Sequence, residues 1–124
     1  VMLTCRGIRG ATTATENTKE AILTATSELL REVTKANDLS DQNMAAVWFT
    51  TTPDLNAQFP ALAAREMGWT QVALLCGHEM AVPDDVPQCI RVLLLVNTKK
   101  GPSELKHIYL NGAANLRNRA AEAQ

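Results

Sequence analysis

Arg91 is the residue of this 124-residue chain whose placement most needs a chemical reason. It stands between Ile90 and the run Val92-Leu93-Leu94-Leu95-Val96, where the pattern predicts a central, largely buried strand. A guanidinium cannot shed its charge, so burying it is costly unless an anion accompanies it. That anion is either internal, with Glu79 the obvious partner, or belongs to a substrate. An exposed strand end is the third reading. Arg6-Gly7-Ile8-Arg9-Gly10 sets two further arginines between glycines, beside backbone N–H groups able to face a carboxylate or phosphate. A plain turn with two solvated arginines is the commoner outcome of that pattern. It is neither a Walker loop nor a dinucleotide fingerprint, so nucleotide binding finds no support.

Cys76-Gly77-His78-Glu79 gathers three reactive side-chain types at the end of an expected strand. Catalytic Cys–His pairs usually meet through the fold rather than across a single glycine, and a metal would need two more ligands, with only His107 on offer. Tyr109, Arg117 and Arg119 default to packing and to solvated charge. The inventory is arginines, a glutamate, a tyrosine and a thiol, without a convincing nucleophile, metal site or cofactor cradle. It suits a site that binds a small anion and acts by electrostatics.

The elements that must hold these residues follow from pattern. Leu3 to Ile8 reads as a short strand, with Gly7, Gly10 and Thr12-Thr13 leading into a loop. Asn17-Thr18-Lys19-Glu20 has the form of a capping box, with Asn17 as cap. Ile22, Ala25, Leu29, Leu30, Val33 and Ala36 recur at helical intervals, and Asn37-Asp38 ends that helix. Ser40-Asp41 is placed to cap a short turn before a strand from Met44 to Thr50, which Pro53 interrupts. Pro60 opens a second helix that Gly68 stops. Strands are expected at Val72–Cys76, Ile90–Thr98 and His107–Leu110, with a turn at Pro83–Pro87 and one helical turn near Ser103-Glu104. The tail over 111–124 is rich in alanine and asparagine and is expected to be partly disordered. Strand and helix alternate before the later strands, predicting an α/β (α+β) layer fold, a mixed sheet with helices on one face.

Composition narrows the function class. With 12 Lys and Arg against 13 Asp and Glu, the net charge of −1 offers no basic face for nucleic acid. Ile90 to Val96 falls far short of the ~20 apolar residues of a membrane span. The first residues lack the order of a signal peptide, and three cysteines form no CxxC pair. A single domain over 1–124 in the cytoplasm is the expectation, with any small-molecule site between subunits.

Five motifs in register then resemble one family. Arg6-Gly7-Ile8-Arg9-Gly10-Ala11-Thr12-Thr13, Thr52-Pro53-Asp54-Leu55, Phe59-Pro60-Ala61, Cys89-Ile90-Arg91-Val92 and His107-Ile108-Tyr109-Leu110 are similar to the monofunctional chorismate mutases of the AroH class. The resemblance runs from about Arg6 to Arg117. It implies a homotrimeric pseudo-α/β-barrel with active sites at the subunit clefts. The implied reaction is the rearrangement of chorismate to prephenate, which needs no metal or cofactor. By the same resemblance, Arg91 faces the ether oxygen, while Glu79 and, more weakly, Cys76 meet the substrate hydroxyl. Arg9 and Tyr109 hold carboxylate, and Phe59 and Ala61 line an apolar wall. Arg65, Leu116 and Arg117 gather at the cleft mouth. Leu62 and Leu75 depart from the pattern, standing where a lysine and a threonine are familiar.

Two other readings compete. Rid-type imine deaminases resemble the fold and also place an arginine in an interfacial cleft, but give no reason for the Cys76–Glu79 segment. A non-catalytic anion-binding module would leave Arg91 paired with Glu79.

Overall fold

The computed structural model describes residues 2–116. The elements in chain order are β1 (Thr4–Thr13), α1 (Lys19–Asn37), β2 (Met44–Thr51), α2 (Ala61–Glu66), β3 (Ala73–His78), β4 (Cys89–Thr98) and β5 (Ile108–Tyr109). Short 3₁₀ turns at Asp41–Asn43, Pro102–Glu104 and Asn111–Ala113 complete the chain as described. One five-stranded sheet runs β3-β2-β4-β1-β5. It is mixed: β4 is antiparallel to both β1 and β2, whereas β2–β3 and β1–β5 are parallel.

Each strand sends alternate residues to opposite faces. Ile8 of β1, Val47 and Phe49 of β2, and Val92, Leu94 and Val96 of β4 are buried in one cluster with Leu29, Leu30 and Val33 of α1 and Ala61 and Ala64 of α2. Both helices therefore cover the same face, and the expected layer arrangement holds. Gly10 matters to that packing, because an added Cβ would lie 3.2 Å from Leu29 Cδ1, from Val92 Cγ2 and from the Ile108 carbonyl. The missing side chain lets α1 approach β1 closely.

Several local expectations are corrected. β1 extends through Thr13, since β4 pairs with it over its whole length and overrides the loop-like glycines and threonines. The cap of α1 is Thr18, whose side chain accepts from Ala21 N, and not Asn17. Asn17 instead accepts from the backbone N–H groups of Asn56 and Ala57, both at 3.0 Å, and so ties down the loop before α2. α1 ends at Asp38, in the left-handed region at φ 52°, and Gly68 stops α2 at φ 93°. β3 runs two residues beyond its expected end, to His78, and β5 is reduced to Ile108–Tyr109. Of the tail, the 3₁₀ turn and the residues through Leu116 are described, and the rest lies outside the described residues.

Candidate active site

The sheet face away from the helices carries the chemistry. Arg91 pairs with Thr50 across β2 and with Ala11 across β1, while Leu93 pairs with Trp48 and Arg9. Residues paired across a ladder point to the same side, so Arg9, Trp48, Thr50, Arg91 and Leu93 share this face. They line one cavity of about 620 Å³ together with Glu79, Asp85, Tyr109 and Leu116. Five of the ten expected site residues (Arg91, Glu79, Arg9, Tyr109 and Leu116) thus meet in a single space.

Tyr109 and Leu116 are brought there by a strap along β1. The Arg9 N–H donates to His107 Nδ1 at 2.9 Å, and Leu110 N–H donates to the Ala11 carbonyl at 2.9 Å. Asn111 then reaches Thr12 and Glu28, both at 3.0 Å, and Gly112 N–H donates to Thr13 Oγ1 at 3.0 Å. The start of the strap is fixed by buried Asn37, which accepts from Lys106 N–H at 2.7 Å and donates to its carbonyl at 2.9 Å.

The internal partner of Arg91 is Asp85, not Glu79. Arg91 Nη2 donates to Asp85 Oδ1 at 3.0 Å and to Oδ2 at 3.2 Å. Arg91 Nη1 is buried and has no hydrogen-bond partner among the described residues. A buried donor left in this state costs roughly 1–3 kcal/mol, more for a charged group, which a bound acceptor would recover. Glu79 is engaged elsewhere: Thr50 Oγ1 donates to its Oε2 at 3.1 Å and Met80 N–H to its Oε1 at 3.1 Å. Its backbone is held by a 2.7 Å bond to the Thr51 carbonyl.

Cys76 lies on the other side of the sheet. It pairs with Phe49, in the helix-facing row, whereas Gly77 pairs with Thr50, in the row of Arg91. Cys76 and Phe59 line a second cavity, of about 330 Å³, with Pro60 and His78. Burial pushes the Cys76 thiol above its ordinary pKa, with the Ala61 backbone and the Arg65 charge pulling it back only in part. A raised pKa disfavours the thiolate form that a nucleophile needs. Ala61 is buried at the start of α2, Arg65 is exposed near its end, and Phe59 is 66% exposed. Within one chain these residues do not join Arg91. Arg117 and Arg119 lie outside the described residues. His78 contacts the Leu55 carbonyl at 3.3 Å, and no three His, Cys, Asp or Glu side chains converge as metal ligands among the described residues.

The family model for chorismate mutase type I matches residues 5–120. The chain belongs to that family. It is similar to the chorismate mutase AroH of Thermus thermophilus, being 48% identical over 120 residues that cover 96% of this chain and 98% of the relative. The chorismate mutase AroH of Bacillus subtilis is 40% identical over 113 residues, covering 90% of this chain and 89% of that one. The solved structure of a chorismate mutase from Clostridium thermocellum matches with a TM-score of 0.86 and 48% identity, over 87% of this chain and 96% of that chain. Type I chorismate mutase membership disposes of the imine-deaminase reading.

Sequence reasoning missed Trp48, Thr50 and Asp85 as lining of the chorismate mutase cavity. Trp48 and Thr50 alternate with buried Val47 and Phe49, so strand period assigns them to the face of Arg91 once the β2–β4 register is known. Of the two departures from the family pattern, Leu62 is half-buried on α2, and Leu75 is 57% exposed on the face opposite the helices.

Proposed function

We propose that this chain, as a chorismate mutase, converts chorismate to prephenate by a Claisen-type intramolecular rearrangement, acting through fixed charges. The product leads toward phenylalanine and tyrosine. The observation that carries the reading is the cavity in which Arg91, Arg9, Glu79 and Tyr109 converge, with the buried Arg91 Nη1 lacking an acceptor among the described residues.

In the rearrangement one carbon–oxygen bond breaks as one carbon–carbon bond forms, within a single molecule. No proton, nucleophile or outside electron is required. Negative charge grows on the ether oxygen as its bond to carbon lengthens. Arg91 Nη1 donates to that oxygen and stabilises the transition state more than the ground state. Arg9 and Tyr109 take up substrate carboxylate and hold the two reacting ends together, which removes much of the entropic barrier. Glu79, fixed by Thr50, accepts a hydrogen bond from the substrate hydroxyl. Trp48, Leu93 and Leu116 supply apolar walls that strengthen these charge interactions.

The second half of the cleft comes from another copy. Arg9, Glu79, Arg91 and Tyr109 lie on one face of the chain, and Phe59 and Cys76 open from the opposite side. A sheet face with Trp48 44% and Leu75 57% exposed also calls for cover. A homotrimer meets both needs, each cleft taking the arginine set from one chain and Phe59, Ala61, Arg65 and Cys76 from the next. No helix among the described residues is long and apolar enough to cross a membrane.

Loss of chorismate absorbance with purified protein tests the activity, with acid conversion of the product to phenylpyruvate identifying prephenate. Loss at only the uncatalysed rate would refute it. Mixing Arg91→Ala with Phe59→Asp chains tests the shared cleft. Activity recovered on mixing two inactive variants is the expected result, and none would place both half-sites within one chain.

A further inference from the structure

We propose that Asp85 is a positioning residue for Arg91, an inference that rests on the mutase reading. Both Asp85 oxygens accept from Nη2, at 3.0 and 3.2 Å, so this end of the guanidinium is pinned from two directions. Nη1, on the same rigid plane, is left as a buried donor without a partner among the described residues. Because a guanidinium is planar, fixing one terminal nitrogen fixes the direction of the other. The carboxylate is itself held, since Oδ1 also accepts from Val86 N–H at 2.8 Å. Its side chain is 19% exposed, and it lines the same cavity as Arg9, Glu79 and Tyr109.

The segment that carries Asp85 is built around this contact. Its ends are anchored by Glu79 N–H on the Thr51 carbonyl at 2.7 Å and by Gln88 N–H on Asp54 Oδ2 at 2.9 Å. Between them, Val82 N–H reaches Met80 and Asp85 N–H reaches Val82, both within the segment. The Arg91–Asp85 pair is the hydrogen-bonded tie from residues 80–87 to the sheet among the described residues. Asp84 and Gln88, at φ 66° and 51°, turn the chain on either side so that Asp85 faces inward while Met80 to Asp84 stay exposed. The charge of Asp85 carries a cost: it places a carboxylate in a cleft that must admit a dianion.

The two roles separate in Asp85→Ala and Asp85→Asn, each assayed on chorismate beside the wild type, with melting temperatures recorded. Asp85→Ala frees the guanidinium, and kcat falls about 10- to 100-fold, the scale of a misplacement near 1 Å. Asp85→Asn keeps an acceptor at the same reach and removes the charge; it restores kcat to within a few-fold of wild type and lowers KM. The inference is overturned if Asp85→Ala keeps or raises kcat, if Asp85→Asn loses as much kcat as alanine, or if lost activity merely follows lost folded protein. A wild type without turnover would instead refute the mutase reading, and is thereby told apart from failure of the Asp85 inference.

Discussion

The two faces of the sheet are written by alternate residues of the same strands, and they obey different rules. On the helix side, Ile8, Val47, Phe49, Val92, Leu94 and Val96 are all buried, and each is apolar. On the other side, Arg9, Trp48, Thr50, Arg91 and Leu93 line a cavity that mixes charge with apolar surface. The first face is closed within one chain by α1 and α2. The second holds a guanidinium nitrogen without a partner among the described residues and two large exposed hydrophobics, Trp48 and Leu75. Stability is concentrated on one side of a layer only one strand thick, and chemistry on the other. A one-residue slip of β4 would exchange them.

That contrast can be broken from the helix side with the largest effect. Phe49 is fully buried, so Phe49→Ala should cost about 3–5 kcal/mol, measured by denaturant unfolding. Arg9, on β1, is exposed on the cavity face, so Arg9→Ala should leave unfolding almost unchanged. It should lower kcat/KM by roughly ten- to hundredfold, chiefly through KM, because a charged hydrogen bond to carboxylate contributes about 1.5–3 kcal/mol.

Cys89 sharpens the comparison, since it is a buried spot at the active-site end of β4. Burial raises its pKa from 9.0 to about 11, the Asp85, Glu79 and Asp54 charges reinforcing the shift and Arg91 opposing it. The unfolded thiol ionises near 9.0 while the folded one stays neutral, so this group's contribution to stability is intact below 9.0 and lost as pH rises toward 11. The loss is on the order of 2 kcal/mol. Unfolding curves of the wild type and Cys89→Ser between these pH values should diverge by that amount. The smallest effect is expected at Leu75, where a hydroxyl is familiar in the family. Leu75→Thr should lower KM by less than about tenfold, the range of one neutral hydrogen bond, without a change in subunit stability.

Much of the fold is legible in the sequence. α1 announces itself because Ile22, Leu29, Leu30 and Val33 repeat at the helical period, and Pro60 and Gly68 bracket α2 for backbone reasons. Arg91 is legible because a charge inside an apolar run is an anomaly that demands a cause. Asp85 is not, since Pro83-Asp84-Asp85-Val86-Pro87 reads as a solvated turn and only the path of the segment over the sheet turns it inward. The cap of α1 is hard to read for a related reason: Asn17 and Thr18 are both good caps, and a loop 39 residues away claims Asn17. β1 reads too short because glycines and threonines suggest a loop until β4 supplies a partner along its length. The family resemblance implies one site for Cys76 and Arg91. Strand register shows that a single chain holds them on opposite sides.

The most direct test of the account is the turnover of chorismate by Arg91→Ala beside the wild type, with both proteins shown to be folded and in the same assembly state. Removing a single oxyanion donor costs about 10²–10³ in kcat, and a charged donor should cost at least that much. The account predicts a loss of this size or greater, expressed in kcat and with melting behaviour unchanged. Near-normal turnover in the variant would contradict it, because the developing charge on the ether oxygen would then be stabilised by something other than Arg91.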